Sequence, residues 1–208
     1  LAGKLDQLLV IDVESTCWDG PPPVGEEKEI IEIGICVLDV RTGERVGKHS
    51  ILVKPEHSRI SEFCADLTHL SQSDVDRKGV SFGRACAILR RKFAARDRAW
   101  ASYGDYDRRQ FERQCAEREI LYPFGISHIN VKTLFALFSG VPQEVGLLNA
   151  LDLMHLPAEG THHRGVDDAW NTAQLLWTMM HGCRLEQAVL AGHMLVPAEM
   201  AGVNDETG

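Results

Sequence analysis

Three short stretches of this chain set acids and histidines where they could do chemistry. In Val10-Ile11-Asp12-Val13-Glu14, side chains of an extended backbone alternate, so Asp12 and Glu14 leave one face while Ile11 and Val13 leave the other. Two carboxylates on one face, among Leu, Val and Ile, are costly near an interior unless a cation neutralises them, and hard divalent ions with oxygen ligands do so. The same pair would also arise from acids emerging at a strand end. The second stretch, Tyr103-Gly104-Asp105-Tyr106-Asp107, suits either a metal-binding turn or a plain turn and helix cap. The third runs Thr161-His162-His163-Arg164-Gly165-Val166-Asp167-Asp168. Its acids complement the positive end of the helix that follows, yet a loop histidine titrating near neutrality is also what a general base for hydrolysis needs. Separate acids at a strand, at a strand-to-helix turn and at a helix start are how a two-metal carboxylate site is assembled.

The elements that must position these groups follow from patterning. Residues 8 to 14 and 29 to 39 are rich in Ile, Val and Leu, and Arg41-Thr42-Gly43-Glu44 supplies a tight turn before a third strand near 45 to 54. The second and third strands therefore pair antiparallel, and Ala99 to Tyr103 reads as a buried fourth strand. Ser81 precedes Phe82, Cys86, Leu89 and Phe93 at helical spacing, with Arg84, Arg90, Arg91 and Arg96 elsewhere around that helix. Helices are also expected over 107 to 119, 131 to 139, 144 to 154 and 165 to 180. No repeat or long linker divides the chain, so one domain over 1–208 is expected, with its core at about 8–180 and a C-terminal helix and tail over 181–208 that frays beyond about Leu195.

Composition bounds the alternatives. The 208 residues are 44% hydrophobic, 7% aromatic and 25% charged, a globular balance in which no segment approaches the roughly 18 uninterrupted apolar residues of a membrane span. The opening residues fit neither a signal nor a transit peptide. Cys17, Cys36, Cys64, Cys86, Cys115 and Cys183 lie far apart, so reduced thiols, a cytoplasmic setting and no cysteine zinc site are expected. The net charge of −8 argues against coating nucleic acid by bulk positive charge, but the segment from Arg77 to Arg118 carries 12 Lys+Arg against 5 Asp+Glu. That asymmetry suits a local phosphate-binding face around an acidic centre, or simply solvated helix surfaces.

In order along the chain, the blocks Ile11-Asp12-Val13-Glu14-Ser15-Thr16-Cys17, Glu29-Ile30-Ile31-Glu32-Ile33, Ser61-Glu62-Phe63-Cys64-Ala65-Asp66-Leu67-Thr68, Gly104-Asp105-Tyr106-Asp107 and His163-Arg164-Gly165-Val166-Asp167-Asp168 resemble the DEDDh 3′→5′ exonucleases. The similarity is greatest to the histone-mRNA 3′-exonuclease branch and spans about residues 8 to 180. It implies an α/β, ribonuclease H-like fold, a mixed central sheet flanked by helices. It also implies that Asp12, Glu14, Asp107 and Asp168 hold two Mg2+ or Mn2+ ions and that His163 is the general base that deprotonates the attacking water. Asp107 is preferred to Asp105 because the family places its acid after an aromatic, here Tyr106, and His163 with Asp168 is preferred to His162 with Asp167 by context.

The resemblance further implies hydrolysis of phosphodiester bonds from the 3′ end of single-stranded or 3′-overhanging RNA or DNA, with RNA favoured and nucleoside 5′-monophosphates released. Ser15 and Thr16 would lie near the terminal sugar, Phe63 and Tyr106 would stack on a base, and Leu67 would wedge between bases. His69 stands where the family usually has glycine. Arg108, Arg109 and Arg164 are candidate phosphate contacts, Trp18 a further stacking or loop-anchoring aromatic, and a homodimer or protein partner would supply added affinity. A catalytically silent RNA-binding module of the same fold, or a DNA-preferring exonuclease, is the competing expectation.

Overall fold

The structure, a computed structural model, describes residues 4–190. The tail expected to fray beyond Leu195 lies outside the described residues. The apolar run of the first motif lies on β1 (Lys4–Ser15), which sits at the centre of a five-stranded sheet. It pairs antiparallel with β2 (Ile30–Asp39), in register Val10↔Cys36, Asp12↔Gly34 and Glu14↔Glu32. On its other side it pairs parallel with β4 (Arg98–Ser102), through Leu9↔Trp100 and Val10↔Ala101. β3 (Arg45–Leu52) adds antiparallel to β2, and β5 (His128–Asn130) parallel to β4, giving the order β3-β2-β1-β4-β5. The turn between β2 and β3 forms as its residues predict. The Asp39 carboxylate accepts from the amides of Arg41 and Thr42, and Gly43 takes φ +76°, a conformation that favours glycine.

Alternation along β1 divides the core into two layers. Leu9, Ile11 and Val13 pack on Phe82, Cys86 and Leu89 of α3 (Phe82–Lys92) and on Phe111 of α4 (Tyr106–Glu117). Leu8 and Val10 face the other way, onto α5 (Val131–Ser139), α6 (Leu147–Leu153) and α7 (Gly165–Leu190), through Phe135, Leu151, Ala169, Ala173 and Leu176. By the same parity Asp12 and Glu14 point toward α7. Three elements escape the pattern reading. β5 is only three residues long, while α1 (Glu62–Thr68) buries only Cys64 and Thr68 and α2 (Gln72–Lys78) only Val75, too few buried apolar positions for a period to show. Their signals are the caps instead: the Ser61 hydroxyl accepts from the Cys64 amide, and Ser71 and Asp74 form a reciprocal capping box.

α7 begins directly against the sheet because two glycines meet there. A Cβ on Gly34 would fall 2.0 Å from the carbonyl carbon and oxygen of Gly165, and one on Gly165 would fall 3.0 Å from the Asp12 carbonyl oxygen. The contact is locked by Glu32 of β2, wholly buried, whose carboxylate accepts from Arg164 Nε at 3.2 Å, Arg164 Nη2 at 3.1 Å and the Gly165 amide at 3.1 Å. The part of the basic segment carried by α3 lies away from the acids. Arg84 and Arg91 of α3, with Lys78 and Lys92, border a groove of about 680 Å³ floored by Ile51, Val80 and Ile88, and α3 covers the sheet face opposite Asp12 and Glu14.

Gly34→Ala forces backbone apart at the start of α7, an overpacking for which roughly 1–3 kcal/mol or more is typical. The expected outcome is a urea midpoint lowered accordingly, with the slope of the transition retained.

Candidate active site

The three chemistry-bearing stretches converge. A cleft of about 340 Å³ is lined by Asp12 and Glu14 from β1, Asp107 from the first turn of α4, Asp168 from the first turn of α7, and both His162 and His163 from the loop before it. One carboxylate oxygen from each of Asp12, Glu14 and Asp168 lies within 4.8 Å of the others, and the same holds for ligand atoms of His162, His163 and Asp168. Asp107, 4% exposed, faces the same cleft but turns Oδ1 to the Val13 amide at 2.8 Å. That amide is available because the described β1–β4 pairing ends at Val10↔Ala101.

So many acids in so little water repel one another. Burial, then the charges of Asp107, Glu14, Asp168 and Glu32, hold the Asp12 carboxyl well above the usual carboxylate range. Burial and the charges of Asp168, Glu32 and Asp107 push Glu14 up to about 9, against the opposing pull of Arg164. Burial raises Asp107 to about 7, partly offset by the Val13 amide and the Ser102 hydroxyl. A set of oxygen donors that is this crowded and under-neutralised fits hard divalent cations such as Mg2+ or Mn2+, which prefer carboxylates and supply the missing positive charge. Asp12, Glu14 and Asp168 have the proximity to hold one, with Asp107 beside them.

His163 is presented by strained backbone. His163 takes φ +64°, in the left-handed region that costs a non-glycine residue, and its amide donates to Asp168 Oδ2 at 2.9 Å. His162 Nδ1 lies 3.0 Å from Asp168 Oδ1, and the two rings are 3.9 Å apart. Burial, and then the neighbouring His162, lower the pKa of His163 below the ordinary histidine value, so at neutral pH its ring can accept a proton.

The remaining sequence-predicted residues divide. Asp105 stays outside the cleft lining, its carboxylate 3.1 Å from Arg108 and 3.9 Å from His128 Nδ1. Tyr106 lines the cleft, is 46% exposed and has Lys28 Nζ 5.6 Å from its ring centroid. Phe63, at 43%, is an exposed residue of α1 rather than a core side chain, and Leu67 on the same helix is half-buried. Ser15 and Thr16 are buried. The Thr16 hydroxyl donates to the Glu27 carbonyl and accepts from the Glu29 amide, so it anchors the following loop, and neither Ser15 nor Thr16 lines the cleft. His69 ends α1 at φ +56°, the conformation for which glycine is best suited. Arg164 is taken up by Glu32 and Arg108 by Asp105, Arg109 is exposed on α4, and Trp18 is half-buried. Lys132, Gly146 and Leu147 also line the cleft. Nothing local in the sequence marks them, whereas Glu32 is marked by being an acid inside a continuous apolar strand.

Fold and site together define a ribonuclease H-like nuclease domain, a mixed sheet with carboxylates gathered beside the end of its central strand. The chain belongs to the exonuclease family of the RNase T type, whose model matches residues 9–176. It is similar to mouse ERI1 exoribonuclease 2, with 32% identity over 204 residues covering 86% of this chain and 29% of the relative. Human 3′-5′ exoribonuclease 1 is 29% identical over 205 residues, covering 91% of this chain and 58% of the relative. The chain thus spans less than a third of the first and somewhat over half of the second. Among solved structures, the nuclease domain of 3′hExo, a DEDDh family member bound to rAMP, superposes with a TM-score of 0.78 at 27% identity, covering 85% of this chain and 92% of that one.

The raised carboxyl groups fix a pH dependence. With folded pKa values of about 9 for Glu14 and about 7 for Asp107, against 4.5 and 3.8 ordinarily, the metal-free fold binds more protons than the unfolded chain between about pH 4 and 9. Its stability therefore falls as pH rises through that window. Because a divalent cation replaces those protons, Mg2+ or Mn2+ should raise Tm more at pH 8 than at pH 6, as differential scanning fluorimetry would show. An equal rise at both values would contradict the carboxylate assignment.

Proposed function

We propose that this chain is a metal-dependent 3′→5′ exonuclease that removes nucleoside 5′-monophosphates from single-stranded or 3′-overhanging nucleic acid, with RNA preferred to DNA. The observation that carries this reading is the convergence of Asp12, Glu14, Asp107 and Asp168 with His163 at one open cleft. Support for RNA comes from the exoribonuclease relatives. The intact set of acids plus histidine favours an enzyme over a silent binding module of the same fold.

Two divalent ions, when bound, would neutralise charge on the scissile phosphate and on the departing 3′ oxygen. Asp12, Glu14, Asp107 and Asp168 would hold them. His163, neutral near pH 7, takes the proton of the attacking water, and the Asp168 carboxylate on its own amide keeps it at the cleft. Tyr106, exposed at the rim beside Lys28, offers a face on which a base can stack irrespective of its identity, and Phe63 of α1 offers a second. Ser15 and Thr16 bring backbone near the terminal sugar, and Leu67 is the apolar wedge.

His163→Ala should lower turnover of 5′-labelled single-stranded RNA by about two orders of magnitude or more while leaving strand affinity in place, with His162→Ala milder. Equal losses in binding and turnover would remove the base role. Asp12→Asn should abolish the EDTA-sensitive shortening from the 3′ end, yet raise the Tm of the metal-free protein at neutral pH, since it removes a carboxyl that folding forces to take up a proton. A variant that still shortens the strand at the parental rate would refute the metal-binding role.

A further inference from the structure

Nucleic acid brings a row of negative charges to a cleft that is itself acidic, so the position of each cation near it matters. Of the three arginines nearest the catalytic motifs in sequence, Arg164 is engaged by Glu32 and Arg108 by Asp105, and Arg109, exposed on α4, does not line the cleft. Arg84 and Arg91 of α3 lie against the opposite sheet face. Lys132, the second residue of α5, lines the cleft together with Asp12, Asp107 and His163, and among the described residues that line it no other lysine or arginine occurs.

The setting of Lys132 is built from both sides. Its stem runs past Gly104, where an added Cβ would sit 3.8 Å from Lys132 Cδ. Its ammonium lies 3.7 Å from Glu144 Oε2, and the other Glu144 oxygen accepts from the Thr133 hydroxyl. The next carbonyl, of Val145, accepts from the Tyr103 hydroxyl at 2.8 Å, so the segment carrying Glu144 is pinned to the wall of the cleft. The Lys132 and Glu144 side chains are 33% and 43% exposed, an ion pair that contributes little to stability and readily exchanges its carboxylate for another anion.

We propose that Lys132 is a substrate-binding residue that contacts a backbone phosphate of the strand in the cleft, with Glu144 parking its ammonium at the rim when no strand is present. The assignment rests on the exonuclease reading and adds to it a source of phosphate affinity inside the cleft itself. A flexible lysine suits this role because it acts as a point charge and tolerates variation in backbone geometry.

The test is fluorescence anisotropy of a single-stranded RNA with a free 3′ end, titrated across salt with Ca2+ in place of Mg2+. A His163→Ala background keeps the strand whole. Lys132→Ala should weaken binding about tenfold and reduce the slope of log affinity against log salt by about 0.7, the loss of one phosphate contact on a single strand. Lys132→Arg should keep both, and Tm should be the same in all three proteins. Parental affinity and slope in Lys132→Ala would overturn the assignment, as would a loss that Arg does not rescue or that follows a fall in Tm. If the His163→Ala protein binds no strand and the unsubstituted protein shortens none, the exonuclease reading and this assignment fall together. Binding and shortening with an indifferent Lys132→Ala would remove Lys132 alone.

Discussion

Electrostatic repulsion among buried acids is the constraint to which this structure answers. Asp12, Glu14, Asp107 and Asp168 come from three distant parts of the chain into one partly dry cleft, with Glu32 just behind them. Left to themselves these groups would separate or stay protonated. The rest of the fold can be read as the apparatus that denies them separation, so that an external cation is the favourable way to relieve the strain.

That apparatus is mostly uncharged. Gly34 and Gly165 remove the side chains that would keep α7 off the sheet, and the apolar contacts of Ala169, Ala173 and Leu176 with Leu8 and Val10 hold it there. Arg164, the arginine next to the cleft histidines in sequence, is used on Glu32 rather than on the cleft acids. This choice keeps the four acids available, because an arginine among them would occupy the place a metal needs. The Val13 amide acts similarly on Asp107, fixing one oxygen without neutralising the group.

Much of this was legible in the sequence. Alternation in β1 gave the shared face of Asp12 and Glu14, the order of apolar runs gave four of the five strands, and helical spacing gave α3, α4, α5, α6 and α7. Motif context favoured Asp107 over Asp105, and the structure sets Asp107 in the cleft and leaves Asp105 with Arg108. What stayed hidden depends on tertiary approach. Lys132 reaches the cleft only because β5 delivers α5 beside β4, and a three-residue strand has too short a pattern to announce that. The arginines of α3 misdirect for the same reason, since composition counts charges but not the face of the sheet on which a helix lands. His69 is a further case: its residue type gave no hint of a left-handed backbone, and only the family resemblance, which implies glycine there, marked the position.

The acid from α7 has a consequence for how the protein comes into being. Asp12 and Glu14 leave a ribosome before Asp107, and Asp168 follows more than 60 residues after Asp107, on the helix that closes the second layer of the core. A nascent chain therefore carries an incomplete set of acids until that helix has emerged and docked. Synthesis on a messenger thus proceeds beside a nuclease fold whose defining cluster is assembled late, a built-in delay set by chain topology.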